Sequence, residues 1–142
     1  MSKVTITENN FCSIYFDEDL DLYEQNWHPK SEDMDEEDYK KIHSDMLHFL
    51  TEKNYKPLYY LLDNRDNNFS MSPDLQEWNS KVIFGGIASL VGGVADKVAI
   101  LVSSDFISQL SIEQAIEEHD GTEQQTKYFE DEQEAREWLF DV

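Results

Sequence analysis

Hydrophobic and polar positions along this chain change period several times, and each change predicts an element. Phe11-Cys12-Ser13-Ile14-Tyr15-Phe16 and Leu20–Trp27 are strand-like, and the acidic stretch Asp17-Glu18-Asp19 between them predicts a β-hairpin whose turn lacks glycine. Pro29 breaks the run. Glu32–Asp38 then supplies carboxylates suited to the positive end of a helix dipole. Tyr39, Ile42, Met46, Phe49 and Leu50 follow at helical spacing as one apolar stripe, and the helix is expected to end near Lys53-Asn54. Leu58–Leu62 is a continuous apolar run, the pattern of a central parallel strand buried on both faces.

Ser72-Pro73-Asp74 reads as a helix start, with Ser72 as N-cap and Pro73 in the first helical position. That helix carries Leu75, Trp78 and Val82. Lys97–Ser103 predicts a second buried strand, Asp105–Glu118 a helix, Lys127–Phe129 a short strand and Asp131–Phe140 a closing helix. Strands and helices alternate after the hairpin. The fold class expected is therefore α/β: one domain with a mixed, mostly parallel sheet of about five strands, helices on its faces and an antiparallel edge. Residues 1–10 read as a flexible terminus and residues 11–142 as the single domain.

Charge narrows the classes of function. The 142 residues hold 31 acidic and 11 basic side chains, a formal net charge of −20. Such a surface repels nucleic-acid phosphates and anionic lipid headgroups, so no nucleic-acid partner is expected. Hydrophobic residues at 39% and aromatics at 13% are enough for a core. The lone Cys12 cannot form an internal disulfide, and the first residues lack the apolar segment of a signal peptide; a cytoplasmic protein is expected.

The stretch VIFGGIASLVGGVADKVAILV, Val82–Val102, holds four of the five glycines. Its glycine pairs fit neither G-x-G-x-x-G nor GxxxxGK[ST], and they precede a strand where a phosphate loop follows one. The apolar part is shorter than the roughly 20 residues of a membrane span. Two readings of residues 82–94 stay open. One is a helix end with a tight loop; the other is an apolar patch of Phe84, Ile87 and Val91 serving as a self-association interface or a contact for an apolar ligand.

No metal, cofactor or catalytic residue is expected. Read as an EF-hand from Asp63, the loop fails at Arg65, at Asn68 and at its final Asp74. His28, His43, His48 and His119 make no i, i+4 pair, and no nucleophile elbow occurs. The best candidate for a ligand or partner site is the loop after the first central strand, where Asp63, Arg65, Asp66 and Ser72 converge in sequence at the carboxyl end of a parallel strand.

Several features together carry a resemblance. They are the hairpin ending in Trp27, the acidic helix start, LLDNRD with Asp63 and Arg65, SPDLQEW with Trp78, DKVAILVS, and KYFEDEQEAREWL. From about residue 11 to 140 the chain resembles the SpoIIAA-like family, bacterial relatives of the STAS domain of anti-sigma-factor antagonists. The resemblance implies the fold derived above and a non-enzymatic interaction or regulatory module, with an unidentified protein partner and a homodimer expected. It also implies a phosphorylatable serine in an Asp-Ser-Ser/Thr-Gly motif. The comparable place here reads Phe69-Ser70-Met71-Ser72-Pro73-Asp74, so the switch motif is not intact. The alternative function is a carrier or sensor of a small apolar, lipid-like ligand.

Overall fold

The computed structural model describes residues 3–93, 95–102 and 125–140. Strands β1 (Lys3–Glu8), β2 (Cys12–Asp17) and β3 (Leu22–Trp27) form an antiparallel meander. Helix α1 (Glu36–Lys53) leads to β4 (Tyr59–Asp63). Next come α2 (Pro73–Trp78), a π-helical segment (Asn79–Phe84) and α3 (Gly85–Val91), followed by β5 (Lys97–Leu101). Strand β6 (Gln125–Phe129) and helix α4 (Glu132–Phe140) close the described chain. The sheet runs in sequence order, β1-β2-β3-β4-β5-β6, and is parallel from β3 onward.

The sheet has six strands where about five were expected. The extra one is β1, formed by residues 3–8, within the segment expected from the sequence to be a flexible terminus. Lys3-Val4-Thr5-Ile6-Thr7-Glu8 does alternate in polarity, and its backbone pairs with β2 from Lys3↔Asp17 to Glu8↔Ser13, with a register shift between Thr5 and Thr7. The hairpin turn works without glycine because Asp17 Oδ1 accepts from the backbone N–H groups of Asp19 and Leu20, and Asp21 takes a left-handed φ of 51°. Leu20 belongs to this turn and is exposed.

A sheet in sequence order makes every parallel crossover step in the same direction. Right-handed crossovers then place α1 and α3 on the same face. That face carries Ile14, Phe16, Tyr23, Tyr60 and Val98 against Met46, Leu50, Ile83 and Ile87. Helix α4 follows the last strand and covers the other face, where Ala135 and Leu139 pack on Leu22, Leu61, Ala99 and Leu101. Each fully buried leucine there contributes roughly 1.5–3 kcal/mol relative to exposure. Strand β4 lies centrally, with Tyr60 buried toward one face and Leu61 toward the other, as its unbroken apolar run predicts.

Helix α1 starts within the acidic cluster, with Glu36, Glu37 and Asp38 in its first turn. Asp35 caps it, accepting from Asp38 N–H at 2.8 Å while Asp38 accepts from Asp35 N–H at 3.1 Å. It ends at Asn54, left-handed at φ 57°, as the sequence places it. The glycine-bearing stretch is resolved in favour of helix up to Val91. Gly92, at φ 80°, terminates it, and the N–H groups of Gly92 and Gly93 both reach Ala88 O. Gly86 has a different role. A Cβ there would stand 2.6 Å from Leu47 Cδ2, so its absence lets α3 approach α1. The helix expected over Asp105–Glu118 lies outside the described residues.

Candidate functional site

The space between the sheet and its α1–α3 layer is not filled. A cavity of about 250 Å³ lies there, walled by Tyr23, Gln25 and Trp27 of β3 and by Tyr39, His43 and Met46 of α1. Asn64, Asn67 and Phe69 of the loop after β4 and Asn79 of the π-helical segment close its other side. A second cavity of about 350 Å³ adjoins it beneath α3, against Val98 and Ile100 of β5. Both share Tyr60, Leu62, Phe84 and Ile87 as walls. Phe84 is 53% exposed and forms the rim, whereas Ile87 is buried.

The walls are mostly apolar, and a directed chain of hydrogen bonds runs among their polar groups. Tyr23 OH donates to Gln25 Oε1 at 2.7 Å, and Gln25 Nε2 lies 3.1 Å from His43 Nε2. His43 Nδ1 is 2.9 Å from the Tyr39 carbonyl. A carbonyl only accepts, so Nδ1 carries the hydrogen and Nε2 accepts from Gln25. His43 is therefore the neutral Nδ1–H tautomer. Burial holds it down to about 4, against the opposing pull of the Tyr39 carbonyl. Burial likewise raises the phenols of Tyr23, Tyr39 and Tyr60, reinforced for Tyr23 by Tyr60 beside it. Tyr39 also stacks on His43, with ring centroids 4.0 Å apart, and on Phe69, and its hydroxyl donates to Asn79 Oδ1 at 3.0 Å. Among the described residues, no buried polar side-chain atom lacks a partner.

Ile83 at the end of the π-helical segment and Ile87 in α3 are four residues apart, so both face inward, while Phe84 turns outward. Of the residues expected to share one surface, Phe84 is exposed, Ile87 buried and Val91 half-buried, and Phe84 and Ile87 meet as walls of the cavities. The loop candidates sit elsewhere. Arg65 grips Asp63 with two hydrogen bonds, 2.9 Å to Oδ1 and 2.7 Å to Oδ2. Partial burial pushes the Asp63 carboxyl up, but Arg65 outweighs it and holds the group below its usual range. Asp66 is exposed. Ser72 caps α2 by accepting from Leu75 N–H and donates its own hydrogen to Glu36. None of these four lines either cavity; their neighbours Asn64, Asn67 and Phe69 do.

Tyr23, Gln25 and His43 are not among the candidate site residues of the sequence, where His43 enters only as a metal ligand that fails. Two signals pointed to them. Gln25 is polar at the inward phase of β3, between Tyr23 and Trp27. His43 interrupts the apolar stripe of α1 between Tyr39 and Met46.

Comparison with known proteins agrees with this architecture. The SpoIIAA-like family model matches residues 30–140. The chain belongs to the SpoIIAA-like family. The match takes in helices α1–α4 and strands β4–β6, while the meander β1–β3 precedes it. Membership suggests a regulatory or interaction module of the STAS kind. No curated protein and no solved structure matched the chain. No helix among the described residues is long and apolar enough to cross a membrane.

Proposed function

We propose that this SpoIIAA-like chain is a non-enzymatic binding module whose working part is the paired cavity, and that it takes a small apolar molecule there. The observation that carries this is the pair of adjoining cavities, about 250 and 350 Å³, sharing the walls Tyr60, Leu62, Phe84 and Ile87. Close packing is the rule in protein interiors, and half-open apolar pockets of this size gain dispersion contacts and shed water when a ligand fills them. Sites for small molecules have this character: concave, mostly apolar, with a few placed polar groups. The reading also suits a reducing cell interior, where the buried Cys12, its thiol pushed up to about 12 by burial, stays inert.

The test is saturable binding of the neutral apolar fluorophore N-phenyl-1-naphthylamine to the full chain. Ile87→Trp should fill the shared wall and abolish binding while the circular dichroism spectrum stays native. Absence of saturable binding, or binding that survives Ile87→Trp, overturns the proposal.

A second reading is favoured by the rim. Val82 and Phe84 are 42% and 53% exposed on one short helical segment, in a chain of net charge −20. Such exposed apolar side chains suit self-association as a homodimer or contact with a protein partner, and the SpoIIAA-like family supports an interaction role. No phosphoserine switch is part of either reading, because Ser72 is already engaged as a cap and a donor.

A further inference from the structure

The walls of the two cavities share one property that selects among apolar ligands. No Lys, Arg, Asp or Glu lines either of them among the described residues. Most of the polar groups, Tyr23, Gln25, His43, Asn64, Asn67 and Asn79 among them, line the smaller cavity, which makes it the polar end of the pair; Thr126 lines the larger, and all of these are uncharged. We propose that the site takes a neutral amphiphile, an apolar body carrying a hydroxyl or carboxamide head, and rejects the carboxylate of the same chain length. This rests on the paired cavity being the binding site.

The hydrogen-bond directions support the choice of head. Tyr23 spends its only hydroxyl hydrogen on Gln25, so its oxygen offers a ligand lone pairs alone. Asn67 Oδ1 accepts from Phe69 N–H and Asn79 Oδ1 from Tyr39 OH, so each carboxamide has its NH₂ left to donate with. A hydroxyl or carboxamide both donates and accepts, and matches this end. A carboxylate only accepts and brings a charge. Its transfer from water into an uncharged, apolar enclosure has no cation to offset it. The titratable walls among the described residues do not supply one near neutral pH, since His43 is held neutral by burial. The acidic surface adds long-range repulsion of an anion at the mouth.

The experiment is calorimetric titration of the full chain with 1-decanol and, separately, with sodium decanoate, both below micelle formation near neutral pH. Decanol should bind one site, and decanoate should bind roughly tenfold or more weaker. Asn79→Lys, which places an ammonium at the polar end, should narrow that ratio by strengthening decanoate. Decanoate binding as tightly as decanol to the unaltered chain overturns the inference and leaves the binding module standing. Failure of decanol, decanoate and the naphthylamine probe overturns both. An unchanged ratio in a folded Asn79→Lys chain overturns the assignment of the polar end.

Discussion

His43 of α1 and Gln25 of β3 face each other across the cavity wall, with their Nε2 atoms 3.1 Å apart. The contact needs a neutral imidazole, because a protonated ring would present an N–H to the amide NH₂ of Gln25. Protonation is thereby coupled to folding. Burial lowers His43 from 6.5 to about 4, so its contribution is full above the unfolded value and is lost as pH falls through the window between them. Linkage gives a loss of about 1 kcal/mol between roughly pH 7.5 and 5.5. Urea unfolding at the two pH values should show it, and His43→Gln should flatten that difference. A His43→Gln chain with the same pH dependence as the parent would remove His43 as its source.

Gly85 and Gly86 are adjacent in sequence and opposite in their tolerance of a side chain. A Cβ on Gly85 meets only Ser80 O at 3.8 Å, an ordinary contact, whereas one on Gly86 presses on Leu47. Gly85→Ala should therefore stabilise by about 0.5–1 kcal/mol through helix propensity. Gly86→Val should destabilise by roughly 1–3 kcal/mol, as overpacking does. Combining Gly86→Val with Leu47→Ala should cost less than the two singles added, since the clash partner is gone. Chemical denaturation of the four chains checks all three statements. Strict additivity would mean that α3 and α1 do not meet at this point.

These two cases show where the sequence was legible. The stripe Tyr39–Ile42–Met46–Leu50, the acidic start of α1 and the doubly buried β4 follow from local period and local chemistry, so they could be read directly. Family resemblance and fold class rest on the same local signals. Gly86 could not be read, because its reason is a contact with Leu47, 39 positions away. Strand β1 was missed because Lys3–Glu8 has only two sizeable apolar residues and its order comes from pairing with β2. The cavity was least legible. A void is a difference between the volumes that β3, α1, β4 and α3 bring together, and no single segment encodes it.

The exposure of Val82 and Phe84 yields a prediction about assembly. Apolar side chains exposed to 42% and 53% gain from being covered, while −20 charges per chain oppose approach. Self-association should therefore strengthen with salt, which screens the repulsion. Sedimentation equilibrium should show a dimer that tightens between low and moderate salt and dissociates in Phe84→Glu. A dimer unaffected by Phe84→Glu would place the interface elsewhere, and a monomer at every salt concentration would remove self-association.

On the opposite face, Glu24 is the buried carboxylate that holds α4 to the meander. Its side chain is 5% exposed, and it pairs with Arg136 of α4 and with Lys3 of β1 at 3.1 Å. Arg136 also bonds Glu132 one turn back, which fixes the guanidinium over the sheet. Removing the arginine leaves a buried anion with a half-exposed lysine as its remaining ion-pair partner. Arg136→Met should therefore destabilise by about 1–3 kcal/mol, more than an exposed ion pair would. Adding Glu24→Leu to that variant removes the stranded charge and should recover much of the loss, because a hydrophobic replacement avoids the desolvation cost. Thermal unfolding of the single and double variants distinguishes the cases. A double variant no more stable than Arg136→Met would mean that the arginine acts through packing of its stem on the sheet and not through Glu24.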